Sequence, residues 1–279
     1  HDAVLVTNKK NNYQMDFGAA LNNNNEALYE SAYVTNYKNM QFIWFNQKFS
    51  KLSLSFLALN NGYQYENLVE NKFQVAYLQT IGTYGKWDAS KFYGDFGLYA
   101  QTGEAAITND KVDVGAYYAG FNLGYKFTNP FKAELGFEYL SGKDQNDTDT
   151  KVKSFTPLFG TNHGFNGLMD YFYVGNHKNS VGLQDFYTKF IYDKNKWQVT
   201  LSPHLFYSAA SVYNMTTLEE QDSYLGTEID LTATYKLDKN FVITGGVSKM
   251  FASDTMEVLK GGNNSNDNNQ YSSNNENVN

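Results

Sequence analysis

The strongest constraint in this sequence is a period of two, recurring in stretches of about ten residues. In one such stretch Phe131, Ala133, Leu135, Phe137 and Tyr139 fall on one face, and Lys132, Glu134, Gly136 and Glu138 on the other. Ile229, Leu231, Ala233, Tyr235 and Leu237 oppose Glu228, Asp230, Thr232, Thr234 and Lys236 in the same way. A third stretch sets Tyr117, Ala119, Phe121, Leu123 and Tyr125 against Tyr118, Gly120, Asn122, Gly124 and Lys126. A helix, whose side chains repeat every 3.6 residues, has no use for this pattern. Each stretch is a strand with one apolar face and one face carrying charges near its middle.

Paired strands are expected at Asp2–Thr7 with Tyr13–Leu21, Tyr37–Lys48 with Leu52–Leu59, and Phe73–Thr83 with Ser90–Thr102. Three more pairs follow: Val112–Phe127 with Phe131–Leu140, Asp185–Tyr192 with Trp197–Tyr207, and Leu225–Leu237 with Phe241–Met250. That makes about twelve strands. Tight turns and longer connections alternate, with loops expected at Asn60–Asn71 and Gly103–Asp110. Antiparallel neighbours joined this way put every tight turn at one rim and every long loop at the other. A Greek-key sandwich has no reason to sort its loops by length, whereas outer-membrane barrels do. Strands of ten residues suit a tilted membrane crossing, and the 23 Tyr and 21 Phe that recur near strand ends suit its aromatic girdles. The expected fold is therefore all-β: an antiparallel, up-and-down transmembrane β-barrel, curved and incomplete.

The barrel domain is assigned to residues 1–253, with a long external loop at 143–182. This loop has neither period and is rich in glycine and aromatics. So long an irregular stretch inside a domain is expected to be functional, capping or lining the enclosed space. Residues 254–279 are assigned to an Asn-rich disordered loop or tail. That tail falls on the long-loop rim, so the chain is expected to lack a final strand as well as strands before His1. The opening His1-Asp2-Ala3-Val4 has neither the basic start nor the apolar run of a signal peptide.

The remaining composition excludes several functions. There is no cysteine, hence no disulfide or thiolate metal site. The formal net charge is -7 and arginine is absent, which argues against nucleic acid as a partner. No run of eighteen apolar residues exists that would make a membrane helix, and a barrel needs none.

One segment carries a family resemblance. Phe155-Thr156-Pro157-Leu158-Phe159-Gly160-Thr161-Asn162-His163-Gly164-Phe165-Asn166-Gly167-Leu168-Met169-Asp170-Tyr171-Phe172 resembles the signature of the alginate export family of Gram-negative outer-membrane proteins, in its Bacteroidetes form. Asp16-Phe17-Gly18-Ala19-Ala20-Leu21-Asn22 and Tyr37-Lys38-Asn39-Met40-Gln41-Phe42-Ile43-Trp44 fit the same family, and the likeness extends to the Asn-rich tail. The resemblance implies a single antiparallel barrel of about eighteen strands. It also implies passive passage of an anionic polysaccharide through the outer membrane, without a cofactor. A polyanion pore is expected to line its lumen with cations. Here the lumen-facing set holds Lys91, Lys126, Lys132 and Lys196 but also Asp95, Glu134, Glu138, Glu228 and Asp230. That mixture leaves a general porin, or a channel for another hydrophilic solute, equally open. Asn162, His163 and Asp170 are candidates for a constriction in the long loop.

Other site chemistry is weaker. Gly160-Thr161-Asn162-His163-Gly164 lacks the Lys-Ser/Thr of a phosphate loop. His163, His177 and His204 lack ligand spacing, and Asp144, Asn146, Asp147 and Asp149 lack the glycine and terminal Glu of a calcium loop. Ser202 or Ser208 near His204 has no oxyanion glycine beside it, so no enzyme is expected. The expected partners are outer-membrane lipid and a hydrophilic solute or polysaccharide. The competing expectation is a soluble or cell-surface β-protein that binds glycans. Under it, a second sheet would cover the Phe131–Tyr139 side chains.

Overall fold

The computed structural model describes residues 2–22, 37–160, 163–164, 166–172, 180–214 and 216–261. Twelve strands form one antiparallel sheet in chain order: β1 Asp2–Lys10, β2 Tyr13–Leu21, β3 Asn39–Lys48, β4 Leu52–Asn67, β5 Lys72–Ala89, β6 Phe92–Ile107, β7 Asp110–Lys126, β8 Phe131–Leu140, β9 Leu183–Lys194, β10 Trp197–Tyr207, β11 Tyr224–Lys236 and β12 Val242–Ala252. A helix, α1 Asp254–Lys260, follows. Among the described residues the sheet stays open, since β1 and β12 each pair on one side only. It curls, because Ala3 of β1 and Glu138 of β8 wall the same cavity.

The apolar face points outward and no protein covers it among the described residues. Phe131 is 55% exposed and Leu135 60%, and Phe121, Phe190, Leu201, Leu231 and Val247 continue the band around the sheet. The second sheet required by the competing expectation is absent from the described residues. Cross-strand aromatic pairs mark the two ends of the band. At the tight-turn end Phe92 meets Tyr125 at 4.9 Å between ring centroids, Phe131 meets Tyr192 at 5.5 Å and Trp197 meets Tyr235 at 4.6 Å. Toward the long-loop end Tyr117 stacks on Tyr139 at 5.5 Å, and Phe137 meets Phe186 at a tilt at 4.5 Å. Such pairs fix the register of neighbouring strands and contribute about 0.2–1 kcal/mol each.

Three expectations need correction. The loops at Asn60–Asn71 and Gly103–Asp110 are mostly strand, with β4 reaching Asn67 and β6 reaching Ile107. Past the apolar band one face no longer has to be greasy, so Asn60, Asn61 and Gln64 carry no hydrophobic alternation although their backbone stays in the ladder. The turn expected between Thr83 and Ser90 is strand as well, since β5 runs to Ala89 and the chain turns at Ser90-Lys91. On the inner face Leu59, Leu78, Val114 and Ala116 are buried. Finally, the tail begins with α1 rather than disorder, while residues 262–279 lie outside the described residues.

Of those inward residues Leu78, Val114 and Ala116 belong to a small core at the long-loop end. Leu78, Val114, Leu140, Leu183, Phe206 and Leu225 from the wall meet Phe155 and Phe172 from the long loop and Met256 from α1. Leu225 reaches this core through a β-bulge: the register between β10 and β11 shifts at Phe206/Tyr207, beside Gly226 at φ 146°. Without the extra residue, parity would turn Leu225 outward with Ile229.

A helix of seven residues does not persist alone, so α1 depends on its caps and on buried Thr255 and Met256. The Ser253 hydroxyl accepts from the Met256 N–H at 3.2 Å and donates to the Tyr224 carbonyl at 2.6 Å. Ser253→Ala is expected to cost about 1 kcal/mol of local stability. Hydrogen exchange at the Met256 and Glu257 amides should then quicken by about fivefold.

Candidate functional site

Residues 141–182 leave the wall at the end of β8 and return to it at β9, and their described part folds into the concave face. Val152 adds a parallel bridge to Val114, with Gly115 N–H donating to its carbonyl at 2.9 Å. The Gln101 side chain treats Thr156 as a strand neighbour, donating to its carbonyl at 2.8 Å and accepting from its N–H at 3.0 Å. The loop then crosses to the far side of the sheet. Asn166 Nδ2 donates to Glu138 at 3.1 Å and to Asp185 at 3.3 Å. Leu168 N–H and Met169 N–H both donate to Glu228 Oε1, at 2.7 and 2.9 Å. Leu168 N–H also lies 3.2 Å from Asp230 Oδ2.

Gly167 makes this approach possible. Its φ is +79°, and a Cβ there would sit 2.5 Å from Glu228 Oε1. Only glycine meets both conditions at once.

The inner wall is therefore stratified. Near the long-loop end, Glu138, Asp185, Glu228 and Asp230 form an acidic tier around His204. Asp185 and Glu228 are both 0% exposed. His204 Nδ1 lies 3.0 Å from both Asp185 oxygens, and its Nε2 3.9 Å from Asp230. Its ring stacks on Tyr187 at 5.3 Å. Near the tight-turn end the charges are mixed and partnered. Lys126 Nζ meets Asp88 at 2.7 Å and Lys132 meets Asp193 at 3.2 Å, the first pair exposed and the second half-buried, both of small energetic worth. Glu134 accepts from the Tyr93 hydroxyl at 2.8 Å and faces Lys189 in register. Asp95 faces Lys86 and Asn122 across the neighbouring strands.

The structure thus places Asp95, Lys126, Lys132, Glu134, Glu138, Glu228 and Asp230 on the inner face, in two tiers rather than one ring. Lys91 needs correction, as does Lys196: both sit in tight turns, Lys91 exposed at the rim and Lys196 donating to the Leu237 carbonyl at 2.7 Å. His163 and Asp170 pair with each other at 2.6 Å on an exposed part of the loop. Asn162 and His177 lie outside the described residues. Asp185 and Asn166 complete the acidic tier and were not singled out by sequence. Parity puts Asp185 on the inner face, but its place opposite Glu138 depends on the β8–β9 register.

Other candidates resolve into structure. Lys153 holds Asp147 at 2.6 Å and Asp149 at 3.3 Å, and Asp144 accepts from Ser211 N–H at 2.7 Å. His204 is engaged by Asp185, and among the described residues no serine hydrogen-bonds to it. No group of three His, Asp or Glu residues among the described residues is placed to hold a metal ion.

The His163 hydrogen bond, and then the Gly164 N–H at 3.0 Å, hold the Asp170 carboxyl below the usual carboxylate range. A depressed folded value stabilises the loop above the ordinary carboxylate pKa of about 3.9, and that contribution is lost as pH falls through the folded value. Exchange at the Gly164 amide is therefore expected to rise on acidification below about pH 4, and Asp170→Asn should remove that dependence.

No family model matches this chain, and no curated protein matches it. Nineteen chains of solved structures do. One is the copper transporter OprC, with 12% identity and a TM-score of 0.41 over 88% of this chain. The present chain spans 39% of that chain's length. At that TM-score the likeness carries no inference about cargo.

Proposed function

We propose that this chain is the wall of an outer-membrane channel whose long loop forms an internal constriction. One observation carries the reading: the predominantly apolar face is exposed around the sheet, while the charged face is turned inward beneath a loop that it holds by hydrogen bonds. Water favours the opposite arrangement; hydrocarbon outside and water inside favour this one. The tilted crossing of about 9–11 residues that a bilayer needs matches the span between the aromatic ends of β8 and β10. Passage is passive and calls for no cofactor and no catalytic step.

The resemblance to the alginate export family points to an anionic polysaccharide. The acidic tier supports a neutral or cationic hydrophilic solute instead: a polyanion pore is expected to carry cations at its constriction, and here the loop rests on carboxylates. In planar bilayers the full chain should give discrete conductance steps, and reversal potentials in a potassium chloride gradient should favour cations. Insertion without conductance defeats the channel reading. Anion preference defeats the assignment of the acidic tier.

A further inference from the structure

Between the loop and the inner wall lies a cavity of about 750 Å³ that the channel reading does not use. Phe42 and Leu57 line it from the wall and Leu158 from the loop. Water alone does not fill such an apolar space well, and its size is that of a small-molecule site. One end is different. There Glu138 is the charged residue of the lining, held by Asn166 Nδ2, and the same amide also donates to Asp185. The two carboxylates therefore share that neutral amide, Asp185 being engaged by His204 as well and Glu138 by the Tyr118 hydroxyl. The aromatic ring of Tyr118 stands beside them, 5.6 Å from that of Phe155. Aromatic faces and a carboxylate around one apolar space recognise a cation on a hydrophobic body.

We infer that this cavity is a binding site for a small organic cation, an ammonium or guanidinium group on an apolar or aromatic body, with Glu138 as its counter-ion. The site goes beyond the channel reading and does not depend on it, since a cavity binds whether or not the wall conducts.

The test is calorimetric titration of the full chain in maltoside micelles with phenyltrimethylammonium, tert-butylbenzene and benzoate, which share a body and differ in charge. Saturable binding of the cation is expected, at least tenfold tighter than the neutral compound, with none for benzoate. Glu138→Gln should weaken the cation at least tenfold. Leu57→Trp, which fills the cavity, should abolish binding while the heat-modifiable gel mobility of the folded protein is kept. If Glu138→Gln does not fold, the comparison of the three probes and Leu57→Trp decides. Equal binding of cation and neutral compound, binding unaffected by Leu57→Trp, or no saturable binding by the folded wild type would each overturn the assignment. Conductance measured on the same preparations separates failure of this site from failure of the channel.

Discussion

Glu228→Ala is expected to raise the single-channel conductance of the full chain severalfold and to open the loop around residues 163–172 to protease. Glu228 accepts two backbone N–H groups of the loop on one oxygen, from Leu168 and Met169. Hydrogen bonds to a charged acceptor contribute about 1.5–3 kcal/mol each, and their removal strands two donors. Part of this is offset. Among the described residues Glu228 Oε2 is buried with no hydrogen-bond partner, and Asp230 places a second carboxyl two residues away on the same face. A net loss of about 3 kcal/mol shifts the docked and undocked populations by roughly a hundredfold. Glu228→Gln keeps a carbonyl oxygen for the same two donors and leaves Asp230 as the one carboxyl of the pair, so it should hold the loop docked. Gly167→Ala should resemble Glu228→Ala, because its Cβ would collide with the carboxylate. Conductance and limited proteolysis unchanged in Glu228→Ala would show that the loop is held elsewhere.

The second large effect lies on the outer face. Leu135 is midway along β8 between Phe131 and Tyr139 and is 60% exposed. Leu135→Arg places a charge near the middle of the apolar band, which in a bilayer costs about 2–4 kcal/mol. Urea titration of the protein refolded in liposomes should report that loss, and the heat-modifiable band should weaken. The inner neighbour Glu134→Gln gives up only a bond from Tyr93 and a longer one from Asn122, and should fold near normally. In a water-soluble protein with this face exposed, Leu135→Arg would be neutral or would improve solubility. A Leu135→Arg variant that folds without detergent would remove the membrane from the account.

Much of the wall was legible in the chain because the information is local. A strand announces its faces by parity, and a tight turn such as Asp193-Lys194-Asn195-Lys196 announces the pairing of its flanks. The extensions of β4 and β6 past the apolar band were hidden, since a strand with no greasy face to present has no alternation to read. The site was legible only in part. Glu138, Glu228 and Asp230 could be assigned inward, but the pattern makes Lys91 an inner lysine by placing the turn before Ser90, whereas β5 runs on to Ala89 and the chain turns at Ser90-Lys91. Parity gave the face of Asp185 but not its place opposite Glu138, and the role of Asn166 gave no signal, because each matters through a neighbour distant in sequence.

The sequence by itself determined a twelve-stranded antiparallel wall, its order and which face is apolar, since backbone pairing and side-chain parity act between near neighbours. Only the tertiary structure decided that the charges stand in two tiers and that the long loop lies on the acidic one. It also decided that a bulge turns Leu225 inward. Those outcomes depend on register and on carboxylates meeting backbone N–H groups some sixty residues away, distances over which no local pattern constrains the chain.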